Sequence, residues 1–108
     1  MSRFSFETVV SGASAIVLLR GELDLLATSE LEPELTRLAE EPGVDTVALD
    51  LRSLDFLDSG GLRSVVLAER LLEENERRLV LVRGTSLVQR VFELTRMTER
   101  LEFVDVLS

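Results

Sequence analysis

A chain of 108 residues has room for one hydrophobic core, so residues 1–108 read as a single domain. Its 20 acidic and 12 basic residues leave a net charge of −8, a field that repels nucleic-acid phosphates and anionic lipid and excludes nucleic acid as an expected partner. There is no Cys, His, Tyr or Trp, and every basic residue is Arg, which excludes disulfides, thiolate or imidazole catalysis, Schiff bases and a P-loop lysine, so neither an enzyme nor a cofactor is expected.

The segment Arg3–Val10 alternates at Phe4, Phe6 and Thr8, as a half-buried strand does. Ser11-Gly12-Ala13 is turn chemistry, and the apolar run Ala15–Leu19 is a second strand, so the two predict an antiparallel hairpin closed off by Gly21-Glu22-Leu23-Asp24. That run is far too short to span a bilayer, and the N-terminus carries Glu7 and no leader-like pattern. No membrane insertion and a cytoplasmic location are therefore expected.

Leu31, Leu35, Leu38 and Ala39 share one face of a first helix. Pro33 has no N–H to donate, which predicts a helix start near Glu30, and Glu41-Pro42-Gly43 stops it. Thr46–Leu51 has the look of a central parallel strand covered on both faces. A second helix opens at Asp58-Ser59-Gly60-Gly61 and runs to about Asn75, with Leu62, Val65, Ala68 and Leu72 as its core stripe. Leu79–Val82 is the next strand. Gly84-Thr85-Ser86 caps a third helix with Val88, Val91, Phe92 and Leu94 inward, and Leu101–Leu107 forms a last strand or a helix–strand ending. The alternation predicts an α/β fold: a mixed β-sheet with an N-terminal antiparallel hairpin, parallel βαβ crossovers and helices packed on the sheet.

Chemistry concentrates in Asp50–Leu62. A buried strand leaves through Phe56 and Leu57 into a tight turn, and Ser59 is then presented at a helix N-terminus, where free N–H groups and the macrodipole favour an anion. The structural reading of the same residues is a plain N-cap at Asp58 or Ser59, with glycines that let the chain turn. Asp55 and Asp58 lack the further oxygen donors that a metal site needs. Leu67, opposite the core stripe, and Leu71, at its margin, are either scattered surface leucines or a docking patch beside the Ser59 loop.

This stretch resembles the signature of the STAS family, in which a Leu-Asp-Leu strand leads to Asp-Ser-[Ser/Thr]-Gly-Leu at a helix start. Gly21-Glu-Leu-Asp24 is similar to the family's first block, and Leu81-Val-Arg-Gly84 with Arg90-Val-Phe-Glu-Leu-Thr95 to its last. The resemblance implies a STAS fold and an anti-sigma factor antagonist. Such a protein binds an anti-sigma factor, often a serine kinase, to free a sigma factor; phosphorylation breaks the complex and a phosphatase restores it. It also implies that Asp24, Asp58, Ser59, Gly60 and Gly61 form the partner-binding loop, with Asp24 a surface acid close to Ser59.

Two departures matter. The family's usual phospho-acceptor falls on Gly60, which has no hydroxyl, so either Ser59 substitutes or the loop is not phosphorylated. The second outcome keeps open a constitutive STAS subunit of a larger assembly, such as a lipid-transport ATPase complex or a sensory scaffold. Arg96 stands where the family often has a helix-ending Gly, at a position that favours a left-handed backbone.

Overall fold

The computed structural model describes residues 3–106. Strand β1 (Phe4–Ser11) turns at Gly12-Ala13 into β2 (Ser14–Leu23), and the two pair antiparallel from Phe4↔Gly21 to Ser11↔Ser14. This is the expected hairpin, with β2 longer than the apolar run. Helix α1 (Leu25–Glu40), strand β3 (Thr46–Leu57), helix α2 (Ser59–Glu74), strand β4 (Arg78–Val82) and helix α3 (Ser86–Leu94) follow. A short 3-10 turn, Met97–Glu99, precedes β5 (Phe103–Val104). The sheet order is β1-β2-β3-β4-β5, with every pair after the hairpin parallel, so the mixed sheet with parallel crossovers is the observed architecture.

The helices place their apolar stripes on one side of the sheet. Leu31, Leu35 and Leu38 of α1, Val65, Ala68 and Leu72 of α2, and Val88 and Phe92 of α3 join Val17, Leu19, Val47, Leu49 and Leu81 in one buried cluster. Phe92 meets Phe103 edge-on at 5.1 Å between ring centroids, which ties α3 to the short β5.

β3 is the strand that sets the site. Leu18 pairs with Asp50 but Arg20 with Ser53, and Gly21 pairs with Leu54 but Glu22 with Phe56, so β3 takes one extra residue at each of two irregularities. Each extra residue reverses the side-chain alternation. Leu51, Leu54 and Leu57 are therefore all buried at a spacing of three, and β3 runs on past Asp50, where pairing with β4 ends. Asp50 is itself buried. The guanidinium of Arg52 grips it from Nε at 3.0 Å and Nη2 at 2.7 Å, and the Arg52 backbone N–H donates to it at 3.1 Å. The bond from Arg52 holds the Asp50 carboxyl below the ordinary carboxylate range, against the opposing effect of burial.

Two sequence expectations need correction, the start of α1 and the inward placement of Leu94. Helix α1 starts at Leu25 rather than near Glu30, and Pro33 lies inside it. An interior proline forfeits one backbone hydrogen bond, but the stripe extends back from Leu31 to the buried Ala27, and Asp24 supplies a cap ahead of it. Leu94 is 72% exposed instead of inward. The C-terminal segment is a 3-10 turn and a two-residue strand, and Leu107 lies outside the described residues. Arg96 does adopt the left-handed conformation, at φ 61°.

Candidate functional site

The ends of β2 and β3 pair side by side, Leu23 with Leu57, and each strand is followed at once by an aspartate that caps a helix. Asp24 Oδ1 accepts the Ala27 N–H at 2.9 Å, and Asp58 Oδ1 accepts the Gly61 N–H at 2.9 Å. Both residues have extended backbones, as N-caps require. The register of two parallel strands thus sets two capped helix starts next to each other. Asp24 is a structural cap as well as an acid near Ser59.

The glycines make this closeness possible. A Cβ at Gly61 would lie 2.0 Å from the Leu23 carbonyl oxygen and 2.7 Å from Leu57 Cδ1. A Cβ at Gly60 would lie 3.0 Å from the Leu25 nitrogen and 3.1 Å from its Cα and Cβ. Gly61 therefore lets α2 sit on the end of β2, and Gly60 lets the first turn of α2 touch that of α1. Further along, the Thr28 and Ser64 hydroxyls hydrogen-bond across the two helices. Thr28 Oγ1 also lies 3.2 Å from the Asp24 carbonyl, and Ser64 Oγ 3.3 Å from the Gly60 carbonyl. With one proton per hydroxyl, one donates across and the other donates to its own helix. This bond sits at the inner edge of the site and fixes the spacing of the two helix starts.

Ser59, the first residue of α2, is exposed, and its hydroxyl has no hydrogen-bond partner among the described residues. Asp24, Asp58, Ser59, Gly60 and Gly61 all lie at these two adjacent helix starts. Leu67 and Leu71 lie further along α2. They line a groove of about 350 Å³ between α1 and α2, together with Leu31, Leu35, Glu32 and Glu74, and Thr28 and Ser64 also line it. Leu67 is 43% exposed and Leu71 half-buried.

Sequence reasoning missed Leu25 and Leu26, which are 71% and 74% exposed in the first turn of α1. A helix start at Glu30 left them in a loop. The pattern Asp24-x-x-Ala27, four residues ahead of Leu31, carries the signal: it makes Asp24 a cap and leaves both leucines off the stripe. No group of metal-ligating side chains and no helix long and apolar enough to cross a membrane occurs among the described residues.

The sheet order and the crossovers define a mixed α/β fold shared with solved anti-sigma factor antagonists. The unphosphorylated form of SpoIIAA superposes with a TM-score of 0.77 at 24% identity, covering 93% of this chain and 88% of that one. An anti-sigma factor antagonist from Mycobacterium paratuberculosis gives a TM-score of 0.81 at 18% identity, covering 96% and 87%. Among curated proteins, the anti-sigma-B factor antagonist of Staphylococcus aureus (strain NCTC 8325 / PS 47) is 27% identical over 95 residues, 88% of this chain and 87% of the relative. The family model described as "Mlab, STAS domain" matches residues 6–106, and this chain belongs to the STAS-domain family.

Proposed function

We propose that this chain is a single-domain anti-sigma factor antagonist: a cytoplasmic, non-catalytic binding protein that sequesters an anti-sigma factor and so releases a sigma factor. The observation that carries the reading is the pair of capped helix starts, brought into close contact at Gly60 and Gly61, with Ser59 exposed between acids. The similarity to antagonists along nearly the whole chain supports it. Ser59 is the phosphorylation candidate. A phosphate there adds a charge of about −1.5 to −2. The N-terminus of α2 tolerates it in the free protein, but a partner docked over Asp58 and Asp24 would bury an unpaired dianion. The anti-sigma factor would then act as the serine kinase, and a phosphatase would restore binding. The groove bearing Leu67 and Leu71 is a second contact region.

Gly60, where the family usually carries the acceptor hydroxyl, favours a second reading, a constitutive STAS subunit of a larger assembly such as a lipid-transport ATPase complex or sensory scaffold. Affinity capture from the native organism with partner identification by mass spectrometry separates the two. The first reading expects an anti-sigma factor that transfers phosphate from ATP to Ser59, with Ser59→Asp weakening the complex and Ser59→Ala retaining it. Recovery of transporter or scaffold subunits, with no phosphate at Ser59, would transfer the assignment to the second.

A further inference from the structure

Leu25 and Leu26 stand out among the exposed apolar side chains because they are consecutive, the most exposed such pair, and begin where Leu25 packs against Gly60. A single exposed leucine is ordinary. Two in succession, each more than 70% exposed, at the start of a helix, are not explained by the fold. Their side chains contribute nothing to the core, where Ala27 and Leu31 face inward. The first turn of a helix also favours acidic residues through the macrodipole, yet α1 has none there.

Two further observations say what would cover them. The Leu25 backbone is packed against Gly60, so the pair is presented on a fixed turn rather than a loose loop, which lowers the ordering cost of binding. Glu22, Asp24, Asp55 and Asp58 lie at the same end of the sheet. Of these, Glu22 is engaged by Arg3 at 3.7 Å, while Asp24, Asp55 and Asp58 have no ion pair among the described residues. Arg63, in the second turn of α2, is a cation on the same helix as Ser59. An apolar pair framed by acids fits an apolar pocket framed by cations.

We infer that Leu25 and Leu26 are the apolar anchor of this chain's partner interface, seating in a hydrophobic pocket bordered by Arg or Lys on a protein partner. The inference deepens the binding reading above. It makes affinity depend on α1, and leaves Ser59, at the rim of the same contact, as the place where a charge would oppose it.

The test uses the purified partner recovered in the capture experiment, whether anti-sigma factor or assembly subunit, so the surface and the functional assignment are judged separately. Leu25→Ser/Leu26→Ser should weaken binding at least roughly a hundredfold, the scale expected for two buried leucines. Leu94→Ser, which removes an equally exposed leucine from α3, should leave affinity unchanged. Amide shift mapping of the wild-type chain with the same partner should centre on residues 24–27 and 58–61. Affinity of the double variant within about threefold of wild type, equal weakening by Leu94→Ser, or shifts confined to the opposite end of the sheet would each overturn the proposal.

Discussion

Gly60 and Gly61 are adjacent in the first turn of α2, and helix propensity makes the same prediction for both. Replacing an exposed helical glycine by alanine should stabilise by up to about 1 kcal/mol. The tertiary contacts separate them. At Gly61 the new Cβ would lie 2.0 Å from a carbonyl oxygen of the buried strand β2, so α2 must back away by more than 1 Å from the end of the sheet. That movement disturbs the bond from the Gly61 N–H to Asp58 and loosens Val65 and Ala68 from the core. Overpacking costs about 1–3 kcal/mol and a lost cap about 1 kcal/mol, against the propensity gain. Gly61→Ala should therefore destabilise by about 1–3 kcal/mol. At Gly60 the contact of 3.0–3.1 Å with Leu25 needs a shift of a few tenths of an ångström by an exposed first turn. Gly60→Ala should stay within about 1 kcal/mol of wild type. Urea unfolding followed by circular dichroism reads both, with roughly a 1 M drop in midpoint for Gly61→Ala at an unchanged slope. A Gly61→Ala protein as stable as wild type, or a Gly60→Ala protein that loses more, would refute the packing argument.

Asp24→Ala removes the acceptor for the Ala27 N–H and should cost about 1 kcal/mol of stability, where a merely exposed acid would cost almost nothing. Thermal unfolding decides, and an unchanged midpoint would make Asp24 a surface charge only. The Arg52 guanidinium holds Asp50 below its ordinary range, so the stability Asp50 contributes is complete above its unfolded value of about 3.9 and is lost as pH falls through the lower folded value. Arg52→Leu should be less stable than wild type near about pH 7, with the gap narrowing as the pH is taken down below the unfolded carboxylate value of about 3.9. Unfolding curves across that range test it, and a gap independent of pH would mean the ion pair is not its cause.

Periodicity and punctuation determined most of the element order. The alternation in β1, the apolar stripes of α1 and α2, the caps at Asp58 and Thr85 and the stops around Pro42-Gly43 act within a few residues and can be read locally. Asp58 and Ser59 were likewise legible as a helix start, whereas Asp24 was legible only as an acid near them, through resemblance to a known signature, and its role as the cap of α1 was not. Tertiary packing decided what local rules could not. It kept Pro33 inside α1, because the Ala27–Leu31–Leu35–Leu38 face buried against the sheet offsets one missing hydrogen bond. It turned β3 through two irregularities so that Leu51, Leu54 and Leu57 share one face, a pairing property of β2 and β3 together that β3 alone does not display. It also gave the glycines different meanings. Gly61 answers to the carbonyl of Leu23 and Gly60 to the backbone of Leu25, contacts made across more than thirty residues of chain, and only the fold that closes those distances says which side chains are left facing outward.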